Sequence, residues 1–125
     1  YRLYEAMGEK ATYYRMLFGD LPDSHAFHFY LGFAEPLGVS VKNLTELREA
    51  LDKIDERSLK FHIARGDLGK WVDEVLGCRA LAQELMMVRH FPEGWKERVI
   101  KAVEGAITAA KTALFGGEAH EVGKV

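Results

Sequence analysis

A glycine set between two apolar-periodic runs constrains this chain more than any other feature. In the stretch Ser58-Leu59-Lys60-Phe61-His62-Ile63-Ala64-Arg65-Gly66-Asp67-Leu68-Gly69-Lys70-Trp71, the residues before Gly66 put Leu59, His62 and Ile63 on one face of a helix that starts after Asp55. Those after it put Leu68, Trp71, Val72, Val75 and Leu76 at i, i+3, i+4, i+7 and i+8, one face of a second helix. Gly66 supplies the permissive backbone that ends the first helix. Asp67 is then expected to cap the second, its carboxylate accepting the free N–H groups of the first turn. The second helix is expected to end at Leu76-Gly77, and another to begin near Cys78. A chain built on this helix–turn–helix must be largely helical around its centre. Arg65-Gly66-Asp67 also spells an integrin-binding tripeptide, but capping accounts for it without adhesion.

On the N-terminal side, Leu3, Met7, Ala11, Tyr14 and Phe18 define an amphipathic helix over about the first eighteen residues, with Tyr1, Tyr4 and Tyr13 off that stripe. Tyr4 and Tyr13 are therefore candidates for contact with a partner. After a turn at Gly19–Ser24, Ala26 to Leu31 alternates: Phe27, Phe29 and Leu31 on one side, His28 and Tyr30 on the other. Residues 32–38, with Pro36, read as a loop, and Val39 to Val41 as a returning strand. Such a hairpin, spanning 26–42, must lie on helices or pair its edge, because two strands alone are marginal. Asn43 followed by Glu46 is a capping box opening a helix whose buried stripe is Leu44, Leu47, Leu51 and Ile54. Asn43-Leu44-Thr45 is also a formal glycosylation sequon.

On the C-terminal side, Cys78, Leu81, Ala82, Leu85 and Val88 form a further buried stripe, broadened by Met86 and Met87, for which core filling is the default and a partner contact the alternative. Phe91-Pro92-Glu93-Gly94 breaks the chain, with Pro92 placed to start a helix. From Trp95, the positions Val99, Val103, Ala106, Ala110 and Leu114 carry a long helix. Its small residues, among them Ala102, Gly105, Ala109 and Ala113, permit another helix to pack closely. Gly116-Gly117 is expected to stop it, leaving 116–125 as a polar tail. The expected fold is mainly α with a small β-hairpin, a compact single-domain helical bundle over 1–115.

Composition bounds the chemistry. Lys and Arg number 17 against 19 Asp and Glu, so no global basic excess drives phosphate-backbone binding. One cysteine excludes an internal disulfide and a multi-cysteine zinc site, and suits a reducing, cytoplasmic compartment. No apolar run is long enough to span a bilayer, so no membrane role is expected. The chain opens at Tyr1 rather than methionine, which leaves room for an upstream segment.

The pattern Ser-Leu-x-Phe-His, then Arg-Gly-Asp-Leu-x-x-Trp-Val, then Val-Leu-Gly resembles an uncharacterised prokaryotic family whose members carry Ser-x-x-aromatic-His followed by Gly-Asp-aromatic-x-x-Trp. The resemblance covers roughly Phe27 to Leu85. Leu68 stands where an aromatic residue is common, and Gly69 is unusual inside a helix. Members occur alone and beside or fused to larger enzymes. No activity comes with the resemblance, so it implies fold and leaves function open.

Catalytic constellations are scarce. The histidines are His25, His28, His62, His90 and His120, with no HExxH, no cysteine pair and no P-loop or dinucleotide fingerprint. His25 and His28 fall on opposite faces of a strand. A metal site on His62 and Asp67 competes with simpler roles in packing and capping. A Cys78–His62 dyad would need a thiol that instead lies on an apolar stripe. Asp55-Glu56 and Asp73-Glu74 read as solvated helix charges. No metal or cofactor is expected. Arg57, Lys60, Arg65 and Lys70 bracket the central turn, with His62 and Trp71 nearby, and could make a local anion or nucleic-acid patch, but Glu56, Asp67, Asp73 and Glu74 interleave with them, so a mixed solvated surface is the leading account. The leading expectation is a non-enzymatic interaction or accessory module in a larger cytoplasmic assembly, binding a protein partner or a second copy of itself, with His62, Arg65, Asp67, Trp71, Tyr4 and Tyr13 as candidate contact residues. The alternatives are binding of RNA or a ribonucleoprotein through the basic-aromatic surface, and a small enzyme or ligand-binding domain using His62 and Asp67.

Overall fold

A computed structural model of the chain describes the backbone of residues 2–124 and the side chains of residues 10–115. Among these residues the fold is mainly α with one small hairpin: α1 (Arg2–Phe18), β1 (Phe27–Tyr30), β2 (Pro36–Val41), α2 (Leu44–Leu51), α3 (Glu56–Arg65), α4 (Asp67–Trp71), α5 (Arg79–Val88) and α6 (Trp95–Lys124). α4 runs directly into a π-helical turn, Val72–Leu76, which ends on the left-handed Gly77. α6 packs against α1, α2 and α5, while α3 lies on β1. The core between them is made by Phe29, Leu47, Leu51, Leu59, Leu68 and Leu85, all essentially without solvent contact.

The capping box forms at Asn43, whose side-chain oxygen accepts from the Glu46 amide at 2.8 Å. The return bond reaches one residue further back, from the Lys42 amide to the Glu46 carboxylate at 2.9 Å. Asn43 also donates its Nδ2 to the Gly19 carbonyl at 2.8 Å, and the Thr45 hydroxyl donates to the Leu17 carbonyl at 2.6 Å. The start of α2 thus satisfies carbonyls that the end of α1 leaves open. Both polar residues of the sequon are consumed by this junction, and Asn43 is buried. In the folded chain it is no glycan acceptor.

That junction also sets how α1 is rotated, and corrects its expected stripe. Met16 and Leu17 are buried and Tyr13 packs on the core, whereas Ala11, Tyr14 and Phe18 are exposed. Residues 13, 16 and 17 form an equally helical face, and the bonds from α2 choose it. The side chains of Leu3 and Met7 lie outside the described residues.

Three boundaries also differ from expectation. β2 begins at Pro36, so the connecting loop shrinks to 31–35, closed by Leu31 N–H to the Glu35 carbonyl at 2.9 Å. Proline is tolerated there because β2 is an edge strand. The register pairs Phe27 with Val41, His28 with Ser40 and Tyr30 with Pro36. One residue lies between His28 and Tyr30 but three lie between Pro36 and Ser40, so β2 bulges, with Gly38 at φ +76°. Pro92 stays in the turn; α6 starts only after Gly94, whose φ of +74° marks the corner. Gly116-Gly117 does not stop α6, which continues to Lys124. Glycine weakens a helix by about 1 kcal/mol relative to alanine but leaves its hydrogen bonds intact.

Candidate functional site

Ser58 and His62 are four apart on α3, hence on one face, and both are buried against β1. The Ser58 hydroxyl donates to the Tyr30 carbonyl at 2.7 Å, and the Tyr30 amide donates to His62 Nε2 at 2.9 Å. A helix has no spare backbone groups in mid-span with which to pair a strand. Here two side chains at helical spacing supply the donor and the acceptor that a neighbouring strand would have offered Tyr30.

The same bond fixes the histidine's chemistry. An amide N–H can only donate, so Nε2 must present its lone pair and Nδ1 must carry the proton. Nδ1 then donates to Asp67 Oδ2 at 3.0 Å. Only 3% of His62 is exposed, and this burial pushes its pKa below the ordinary imidazole value, the Asp67 carboxylate opposing the shift in part. The ring is held neutral, in one tautomer, with both nitrogens occupied by its own chain. A metal ligand or a general base needs a free lone pair, and His62 has none to offer.

Asp67 is therefore not the cap that its position suggests. α4 follows the left-handed Gly66 (φ +80°) with no side-chain capping bond, and the carboxylate turns back to His62 and to Arg65 Nε, 3.1–3.3 Å away. A charge-assisted bond to a buried donor is stronger than a cap, because that donor would otherwise lose its hydration unpaired. Trp71 completes the arrangement: its indole Nε1–H donates to the His25 carbonyl at 2.7 Å, and its ring packs 5.7 Å from Phe27. Ser58, His62, Asp67 and Trp71 all serve to tie β1 and the turn before it to the helices.

The remaining candidates disperse. Tyr13 packs on its own core and is not a free contact residue; the Tyr4 side chain lies outside the described residues. His25 bonds Ser24 and His28 bonds the Asp23 carbonyl, so the two do not chelate. Among the described residues no group of three potential ligands gathers for a metal, and no hydrogen bond joins Cys78 to His62. Asp55, read as a solvated charge, caps α3 through the Arg57 amide and pairs with the Arg57 guanidinium at 2.8 Å, which lowers its pKa to about 2. Arg57 and Arg65 are both paired with carboxylates, so the cations around the turn sit in a mixed surface rather than a continuous basic patch.

Two surfaces emerge instead. Phe33, in the hairpin loop, is 78% exposed and meets Phe61 edge to face at 5.4 Å; the Arg65 guanidinium lies 4.8 Å and 5.1 Å from their ring centres. These groups rim a cleft of about 350 Å³ above His62. On the other side of the turn, Met86 and Met87, expected to fill the core, are 36% and 57% exposed, and Phe91 is exposed beneath the Arg98 guanidinium at 3.6 Å. Met86 overhangs Gly69, where a Cβ would sit 3.1 Å from the methionine sulfur, which explains the glycine inside α4. Phe33 and Phe91 carried a readable signal: each stands beside turn residues, where a large apolar side chain has no core to enter.

No protein-family model, curated protein or solved structure matches this chain. Among the described residues no helix is long and apolar enough to cross a membrane.

Proposed function

We propose that this chain is a non-catalytic protein-interaction module, an accessory part of a larger cytoplasmic assembly, related to the uncharacterised family that its central pattern resembles. The observation that carries the reading is the exposed Met86-Met87-Phe91 surface. Contiguous exposed apolar groups of this kind mark contact surfaces, and unbranched methionines accommodate varied partners. The saturation of His62 and Asp67 supports the same reading, since the pair best suited to chemistry is occupied in holding the hairpin.

The test is affinity isolation from native lysate, with and without nuclease, of the wild type and of Met87→Ser, an exposed change that spares the core. A stoichiometric protein that survives nuclease and is lost with Met87→Ser is expected. A complex that collapses on nuclease treatment would replace this reading with an RNA-bound one. A bare chain in every sample would overturn both.

A further inference from the structure

We propose that the Met86-Met87-Phe91 face takes an acidic amphipathic helix of a partner protein. The inference rests on the interaction-module reading and adds the partner's chemistry. Two hollows, of about 800 Å³ and 430 Å³, flank α5 and share Met87. The first runs between α4 and α5 over Gly66, Gly69 and Ala82; the second lies between α5 and α6 over Val88 and Ala102. α5 is ten residues long, about 15 Å, which matches nearly three turns of a second helix laid along it. The floor is apolar and adaptable, as helix-in-groove recognition requires.

Charge selects the occupant. The walls of the two hollows carry five cations, Arg65, Lys70, Arg79, Arg98 and Lys101, and only two carboxylates, Asp73 and Glu84. The whole chain has a formal charge of −2, so this face is positive on an otherwise acidic molecule. Arg65 and Arg79 already have carboxylate partners in Asp67 and Asp73. Among the described residues Lys70, Arg98 and Lys101 make no ion pair; Arg98 lies over Phe91 and donates to the Glu93 carbonyl, while Lys70 and Lys101 are free to meet acids on a partner's rim. Such complementary rims steer and orient the encounter, while the apolar floor holds the complex.

The four methionines offer a direct readout by carbon-13 methyl NMR, with buried Met16 as the internal control. The probes are a synthetic helical peptide of about five turns, with leucine on one face and glutamate elsewhere, and its counterpart with lysine in place of glutamate. The glutamate peptide is expected to shift the Met86 and Met87 methyls saturably, to leave Met16 in place, and to bind several-fold more weakly as salt rises, because exposed pairs are screened. Lys70→Glu combined with Lys101→Glu, both on the surface, is expected to abolish that preference. Equal binding of the two peptides, shifts confined to other methyls, no shift with either peptide, or tighter binding of a polyuridine oligomer at the same methyls would each overturn the proposal. If the proposal fails while Met87→Ser still loses a protein in affinity isolation, the interaction reading survives. If that partner is absent too, both readings fall.

Discussion

His62→Gln converts the buried imidazole into an amide that can still accept from Tyr30 but cannot titrate. Its effect should depend on pH in a direction that the wild-type geometry dictates. In the folded chain Nε2 faces the Tyr30 amide, so a second proton would set N–H against N–H, and burial lowers the pKa further. In the unfolded chain His62 titrates near 6.5. Above that pH neither state binds the proton and the histidine contributes its full stabilisation. Below it the unfolded state alone gains protons, so stability falls as pH drops, at up to about 1.4 kcal/mol per pH unit, until the folded-state pKa is reached. At pH 7.5 the wild type should exceed His62→Gln by about 1–3 kcal/mol, the usual cost of disturbing a buried bonded group. By pH 5.5 that margin should shrink by up to about 1.4 kcal/mol. Urea unfolding followed by the fluorescence of Trp71 and Trp95 measures it, and the other four histidines are common to both chains and cancel in the difference. A margin constant across this window would mean that folded His62 takes a proton freely, which refutes the assignment of its tautomer.

Ser58→Ala should cost about 1–2 kcal/mol in the same assay, because the Tyr30 carbonyl loses its donor in a buried place; a change near zero would show that the bond is dispensable. Gly66→Ala should destabilise by about 1–2 kcal/mol, since alanine resists φ +80° and its Cβ would meet Met86 at 3.3 Å. Gly105→Ala, on α6 with open space around its Cβ, should stabilise by about 0.5–1 kcal/mol, read as a higher midpoint of thermal unfolding. Gly69→Ala should not gain as much, because its Cβ would crowd Met86 and lie 3.3 Å from the Ala82 carbonyl. Equal gains at the two glycines would show that α4 and α5 are not in tight contact.

The helices were legible wherever periodicity and punctuation agreed. Asn43, Asp55, Gly66 and Gly77 each stand where an element begins or ends, and the stripe Leu44, Leu47, Leu51, Ile54 is buried as spaced. α1 was legible as a helix but not in its rotation. Two apolar faces compete there, and the choice belongs to Asn43 and Thr45, more than twenty residues away. The role of Asp67 was illegible for a related reason. Its place after Gly66 is a capping position, and only the fold brings the His62 Nδ1–H within 3.0 Å to compete for the carboxylate. Met86 and Met87 look like core in sequence because their neighbours Leu85 and Val88 are core. Exposure depends on what α5 faces, and nothing local states that.

These particulars change what the central pattern means. Serine and histidine at i, i+4, an aspartate after the turn and a tryptophan beyond it invite a search for catalysis. In the fold each is bonded to the backbone of the hairpin or of its entry turn, or, for Asp67, to the residue that is. A two-stranded sheet exposes two edges and is marginal unless something covers them. Along β1, α3 takes the place of a third strand at Tyr30, and the outer strand β2 is blunted by Pro36 and by the bulge at Gly38. A partner strand therefore finds neither edge in a regular register to extend. On the proposed interaction reading, recognition would then use side-chain surfaces, and the methionine face of α5 lies on the far side of the Gly66 turn from the residues that secure β1. A substitution at Met87 is therefore expected to leave the bonds of Ser58 and His62 to Tyr30 intact.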